Sequence, residues 1–314
     1  SIKAVVRVTT YTNVAQGLSV DARSTWYQNR NTSAIEQMNL RYSARRWTVY
    51  DNFEYRSDNY LKWKDLTQTV HVDTLWNEVS NEQEHRKQNR VENTVGLDYH
   101  IAGQSYVGGR YMLTLDTRNR MDLSSTNSIS ADGQPYDLLR TDGQERGHSN
   151  PSHLINVYYS GTVNKFKINT DLDYLHSTTE TDNAYDETSQ TGRSRTFSAV
   201  SHVNNRLLSL RVSVGHKLWR GDATVGVEYV HTRRNDHYAS TLGEMPTSQS
   251  LLRETQRAAF ADYSVLTGVG LFGLGIRAEN SQFTFHPGNG EADVSQSVFR
   301  VYPNLSWGIR VGQL

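Results

Sequence analysis

The chain has 314 residues, with 33 Lys+Arg against 33 Asp+Glu, 36% hydrophobic residues and no cysteine. A zero net charge argues against a nucleic-acid-binding protein, which is normally basic. The lack of cysteine excludes a disulfide framework and a thiolate metal site, and no apolar run approaches the roughly 18 residues of a membrane helix.

From the N-terminus the dominant signal is a period of two. Ser1 opens directly into strand-like "IKAVVRVTT". Leu18, Val20, Ala22 and Trp26 then alternate with Asp21, Arg23 and Thr25, and a weaker strand is expected near Met38–Tyr42. Trp47, Val49, Phe53 and Tyr55 form the next apolar set, with Asp51 a misfit on the apolar parity that suggests a bulge or a wrong register. Further strands follow at Val95–Ile101, Val107–Leu115 and, more weakly, Leu154–Tyr159. In "KFKINTDLDYLH", Phe166, Ile168, Thr170, Leu172 and Tyr174 take turns with Lys167, Asn169, Asp171 and Asp173. Strands at Leu208–Val214, Ala223–Tyr229, Ala259–Val265, Phe272–Ala278 and Leu305–Val311 bring the total to about twelve.

The expected connections alternate too. Short turns fall at 43–46, 102–104, 161–164, 218–221 and 267–270. Long polar loops are expected at about 58–90, 117–152, 177–205, 233–256 and 285–295. That asymmetry, strands of bilayer-crossing length, and charged residues on the polar face predict an all-β, antiparallel up-and-down transmembrane barrel with its apolar face in lipid. Aromatics at both strand ends read as interfacial belts: Tyr42, Trp47, Phe166, Trp219 and Trp307 near the turns, Trp26, Tyr55, Tyr174, Tyr229 and Phe283 near the loops. A soluble sandwich or solenoid would bury the same apolar set, but leaves strand length and loop asymmetry unexplained.

Pieces of this pattern resemble a known group. "MNLRYSARRWTVYDNFEYR", "NRLLSLRVSVGHKLWRGDATVGVEYVHTRRNDHY", "RAAFADYS", "GIRAENSQF" and "VYPNLSWGI" are similar, in order and spacing, to barrel strands of TonB-dependent outer-membrane receptors from Bacteroidetes. These belong to the subgroup with a carboxypeptidase-regulatory-like N-terminal domain. The resemblance implies that 1–12 is the end of a plug domain and 13–314 a partial outer-membrane barrel, about twelve strands of a 22-stranded whole. It further implies nutrient uptake, with the lipid bilayer, the protein's own plug, the TonB complex and a surface lipoprotein as partners. The family's terminal aromatic is replaced here by "IRVGQL", which suggests that the barrel continues beyond it. A passive porin or structural protein is the alternative, and a barrel enzyme comes third.

Little catalytic chemistry is legible. "HTRRNDHY" and "HVD" bring His and Asp close, but no third ligand is fixed by spacing. Asp182, Asp186 and Glu187 form a weak Ca²⁺ candidate on an expected loop without the spacing of a dedicated calcium loop. There is no G-x-S-x-G elbow, and the glycine-rich "GLFGLG" lacks the Lys-Ser/Thr of a phosphate loop. The expectation is therefore a non-enzyme without a cofactor and without nucleic-acid partners. Lumen-facing candidates are Arg23, Arg41, Arg110, Lys167, Asp171, Asp173, Arg211, Glu228, Arg277, Glu279 and Arg310, joined by Arg56, Glu54, Asp98, Asp116 and Asp262. Their signs balance, which suits a folded plug or a neutral polar substrate better than an ion-selective pore.

Overall fold

A computed structural model describes residues 16–309 except 104, 149, 193, 244–246 and 289. The expected plug strand (1–12) and Arg310 lie outside the described residues. The described chain is all-β, an antiparallel sheet of thirteen strands. They are β1 (Gly17–Gln28), β2 (Thr32–Ala44), β3 (Trp47–His71), β4 (Leu75–Ala102), β5 (Ser105–Ala131), β6 (Gln134–Gly147), β7 (Ser152–Val163), β8 (Phe166–Ser189), β9 (Arg195–Leu218), β10 (Gly221–Ser240), β11 (Ser248–Thr267), β12 (Gly270–Pro287) and β13 (Val294–Gly308). Each pairs with its neighbour in sequence, except where β6 and β7 share one lane. β6 lies between the far halves of β5 and β8, and β7 lies between their near halves. They act as one strand interrupted at residues 148–151, so the expected twelve lanes are present. The break is built by Pro151, which has no N–H to donate, while the His148 N–H bonds the Glu180 carbonyl at 2.8 Å.

The tight turns at one end behave as expected. Ala44 and Trp47, Val163 and Phe166, and Leu218 and Gly221 are separated by two residues each, the first of them left-handed: Arg45 (φ 46), Asn164 (φ 56) and Trp219 (φ 53). The other end corrects the sequence reading. The expected long loops at 58–90, 117–152, 177–205 and 233–256 are mostly strand, because β3, β4, β5, β8 and β9 run on for 24 to 28 residues. What remains as connection is as short as residues 72–74 or the Asp132-Gly133 turn, where both residues have positive φ. These segments carry polar residues on both faces, so no hydrophobic period announces them.

Following one hydrogen-bonded row shows the tilt. Leu18, Tyr42, Val49, Leu97, Gly109, Val157, Leu172, Leu210, Tyr229, Arg257, Asn280 and Phe299 stand side by side. Leu18 stands at the turn-side end of β1, whereas Phe299 stands deep inside β13. Such a stagger belongs to a tilted barrel wall. Among the described residues β1 and β13 do not contact one another.

The packing is inverted relative to a soluble sheet. The buried apolar side chains among the described residues are Ala199 and Ala258 alone. Val225 and Val227 are each 55% exposed and Leu305 78%. By register, the polar face holds the buried Ser43, Asn156, Ala199 and Ala258, and the apolar face is open. A soluble sheet of this size would bury its Val, Leu and Ile against a second layer. Here the apolar face requires lipid, and the strand is the only element available to cross it. The chain is an outer-membrane β-barrel protein.

Asp51 is not rescued by a bulge. β3 keeps its register through Leu40, Asp51 and Val95, so the carboxylate stays on the apolar face and accepts a hydrogen bond from Asn93, also on that face. Phe283, expected in the outer aromatic belt, is instead on the polar face opposite Gln296.

Candidate functional site: the polar face of the wall

The register joins the polar positions of many strands into continuous rows. One row runs Thr48, Asp98, Gly108, Tyr158, Asp171, Arg211, Glu228, Ala258, Glu279 and Arg300. Arg23, Arg41, Arg110, Lys167, Asp171, Asp173, Arg211, Glu228, Arg277 and Glu279 all fall on this one face. Glu54, Arg56, Asp98, Asp116 and Asp262 share it.

Within the face, charges are tied locally. The Arg277 guanidinium donates to Glu228 at 2.9 Å and to Glu279 at 3.1 Å. Arg211 lies over the Phe260 ring, 5.2 Å from its centroid. Arg90 meets Asp116 at 2.8 Å, and Arg56 meets Glu54 at 3.0 Å. Asn156, 4% exposed, donates to Asp173 at 2.7 Å. Farther from the turns, Lys64 bridges Glu82 and Glu84. The hydrogen bond that Lys64 donates to Glu82, then the one it donates to Glu84, holds the Lys64 ammonium above its ordinary pKa.

The sequence reading missed a second device, aromatic rings laid over glycines of the neighbouring strand. Tyr158 covers Gly108 and donates its hydroxyl to Asp98. Tyr50 covers Gly96, and Phe260 covers Gly226. Each glycine is on the polar face, and a Cβ there would strike the ring. The pairing of small inward residues with bulky ones is how a curved wall fills its concave side. It was in principle visible as inward glycines within strands. The glycines of "GLFGLG" have a similar cause: a Cβ on Gly273 would meet the Ser306 hydroxyl at 2.5 Å, and one on Gly275 the Asp262 carboxylate at 2.5 Å.

The calcium candidates do not converge. They stand on strand β8, not on a loop, with Asp182 and Asp186 on one face and Glu187 on the other. Glu187 pairs with Arg195 at 2.7 Å, Asp182 with His148 at 2.7 Å, and Asp186 accepts from Thr196 at 2.7 Å. His71 is the last residue of β3 while Asp73 lies in the following turn, so these two do not share a strand face. Among the described residues no three His, Asp or Glu side chains are grouped to hold a metal. Near the short turns the polar face has a depression of about 680 Å³, lined by Lys165, Lys167, Lys217 and Asp222.

No protein family and no curated protein matches the chain. Among solved structures it is similar to the outer membrane protease OmpT of Escherichia coli, at 9% identity over 82% of this chain and 94% of that one, with a TM-score of 0.29. It is also similar to OmpT, an outer membrane protein of Vibrio cholerae folded in vitro and in trimer form, at 9% identity over 93% and 100%, with a TM-score of 0.26. One expectation is corrected on this finding. A protease stands among the similar structures, so the chain's assignment as a non-enzyme is withdrawn.

Proposed function

We propose that the chain is wall of a TonB-dependent outer-membrane receptor that takes up a nutrient, with its polar face turned to a folded plug. The observation that carries this reading is the balance of charge along the polar face. Of the sequence-read charged residues placed on that face, seven are basic and eight acidic, and Arg277 ties Glu228 to Glu279. A selective ion pore favours one sign. Paired charges with short hydrogen-bonded reach suit contact with another polar protein surface or a neutral polar solute. The resemblance of the strand units to receptor barrels supports the same reading, and the TonB complex and a surface lipoprotein are the partners it brings.

The test is made on the full-length protein. Planar-bilayer recordings should show little standing conductance, because a plug fills the lumen. Uptake in cells should stop when a protonophore collapses the energy of the inner membrane. An open ohmic channel together with protonophore-insensitive uptake would overturn the proposal in favour of a passive porin.

A further inference from the structure

On the apolar face, one row carries five basic side chains in succession. His153, His176, Arg206, Arg233 and Arg253 stand directly opposite one another on the five adjacent lanes β7 to β11. With strands about 4.8 Å apart, the row spans about 20 Å. Like charges directly across a ladder repel and destabilise the pair. Two other arginine pairs are compensated. Arg56 opposes Arg90, but each has its own carboxylate, Glu54 and Asp116. Arg120 opposes Arg146, but Arg120 is bound to Asp122, and Arg146 stands across from Asp182.

The three arginines of this row have no such partner. All three are exposed, and none makes an ion pair or a side-chain hydrogen bond among the described residues. Their same-face neighbours are Leu208, His231 and Thr255 on the turn side and Asn204, Asn235 and Leu251 on the far side, without one acid. Arg257 adds a further positive charge one row-pair closer to the turns.

The position of the row is as informative as its charge. On the turn side lie Ile155, Tyr174 and Leu208, then Val157, Leu172, Leu210 and Tyr229, the apolar band itself. From the tight turns to the row, β7 and β8 advance 10 residues, β9 and β10 advance 12 and β11 advances 14, at or just past the roughly 9–11 that cross a bilayer at a tilt. Beyond the row the strict apolar alternation ends, with Asn204 and Asn235 outward and Asn205 and Arg234 inward. The arginines therefore mark the level at which hydrocarbon gives way to headgroups, on the side facing lipid.

We propose that this row is a binding site for the phosphate groups of membrane lipids in the leaflet opposite the tight turns. Planar guanidiniums bind phosphate oxygens in pairs of parallel hydrogen bonds, and a row of three at ladder spacing holds several oxygens at once. His153 and His176 extend it with ring nitrogens, their rings stacked 6.5 Å apart. The repulsion among the arginines is removed when lipid phosphate lies between them.

The full-length protein, purified in detergent, is mixed with phosphatidic acid, with phosphatidylcholine or with inorganic phosphate, and retained lipid is counted by native mass spectrometry. The expected result is retention of phosphatidic acid and not of phosphatidylcholine, weakening as salt rises. Each single Arg→Gln change at 206, 233 or 253 should lower phosphatidic acid affinity about fivefold, and the triple variant about a hundredfold. Arg234→Gln removes the same charge one residue away, on the other face, where Arg234 is paired with Asp236, and should leave affinity within about twofold. Heat-modifiable gel mobility checks that each variant is folded. The proposal falls if the folded triple variant retains phosphatidic acid like the wild type, or if Arg234→Gln costs as much as Arg233→Gln. Displacement of the lipid by inorganic phosphate at equal concentration would overturn it in favour of a soluble-anion site.

Discussion

The half of the sheet near the tight turns and the half beyond the arginine row are built on the same strands. β8, β9 and β10 pass through both without a change of register. What changes is which side chains alternate. Near the turns, Val225 and Val227 face out while Thr224 and Glu228 face in. Beyond the row, Asn204 and Asn235 face out and Asn205 and Arg234 face in, polar on both sides. The comparison teaches that the ladder sets the shape of the wall along its whole length, whereas the side-chain pattern sets which solvent each level meets.

The sharpest way to break the comparison is to put a charge into each region. Val225→Arg, in the apolar band, should cost about 2–4 kcal/mol of folding stability if it lies at mid-bilayer. Thr224→Arg on the polar face, and Gln83→Arg on the same outward face but beyond the row, should stay within about 0.5 kcal/mol. Urea titration of the three variants refolded into vesicles gives the ranking, and equal losses would remove the lipid-facing assignment.

The concave side of the band gives the next largest effect. Gly108→Ala places a Cβ 2.6 Å from the Tyr158 ring, and overpacking of this kind costs about 1–3 kcal/mol. Gly109→Ala, pointing the other way, meets nothing nearer than 3.5 Å and should be nearly neutral. The same titration distinguishes them. A smaller effect is expected at the ion pairs. Arg277→Ala leaves Glu228 and Glu279 without their shared cation and should cost about 1 kcal/mol. A double-mutant cycle with Glu228→Gln should recover part of that loss, and strict additivity would show that the pair is not coupled.

The smallest effect lies at the break between β6 and β7, beyond the band. The hydrogen bond that the His148 ring donates to the Asp182 carboxylate raises the His148 pKa above its ordinary value. A raised folded pKa means that the contact stabilises fully below the unfolded histidine value of about 6.5, and that this is lost as pH rises through the folded value. Amides near 148–152 should exchange faster relative to the His148→Gln variant at alkaline pH than at mildly acidic pH. A pH-independent ratio would sink the assignment.

Much of the band was legible because lipid on one side and polar contacts on the other impose a strict period of two. The tight turns were legible as short polar gaps between alternating runs. The far halves of β3, β4, β8 and β9 were not, since residues such as Gln83, Glu84 and His85 face water on both sides and leave no period to read. For the same reason a deletion from Asp182 to Thr191, which looks like trimming a loop, would remove the end of β8. The replaceable tip is 190–194.

By itself, the sequence determined the fold class, the lane count and the face of nearly every charged residue in the band, because alternation on a pleated strand fixes side-chain direction locally. Only the tertiary structure decided which strands stand opposite which, and at what stagger. Arg206, Arg233 and Arg253 are far apart in sequence and unremarkable one by one. Register alone places them side by side, and it is that cross-strand placement, a long-range property, that turns three ordinary arginines into one row.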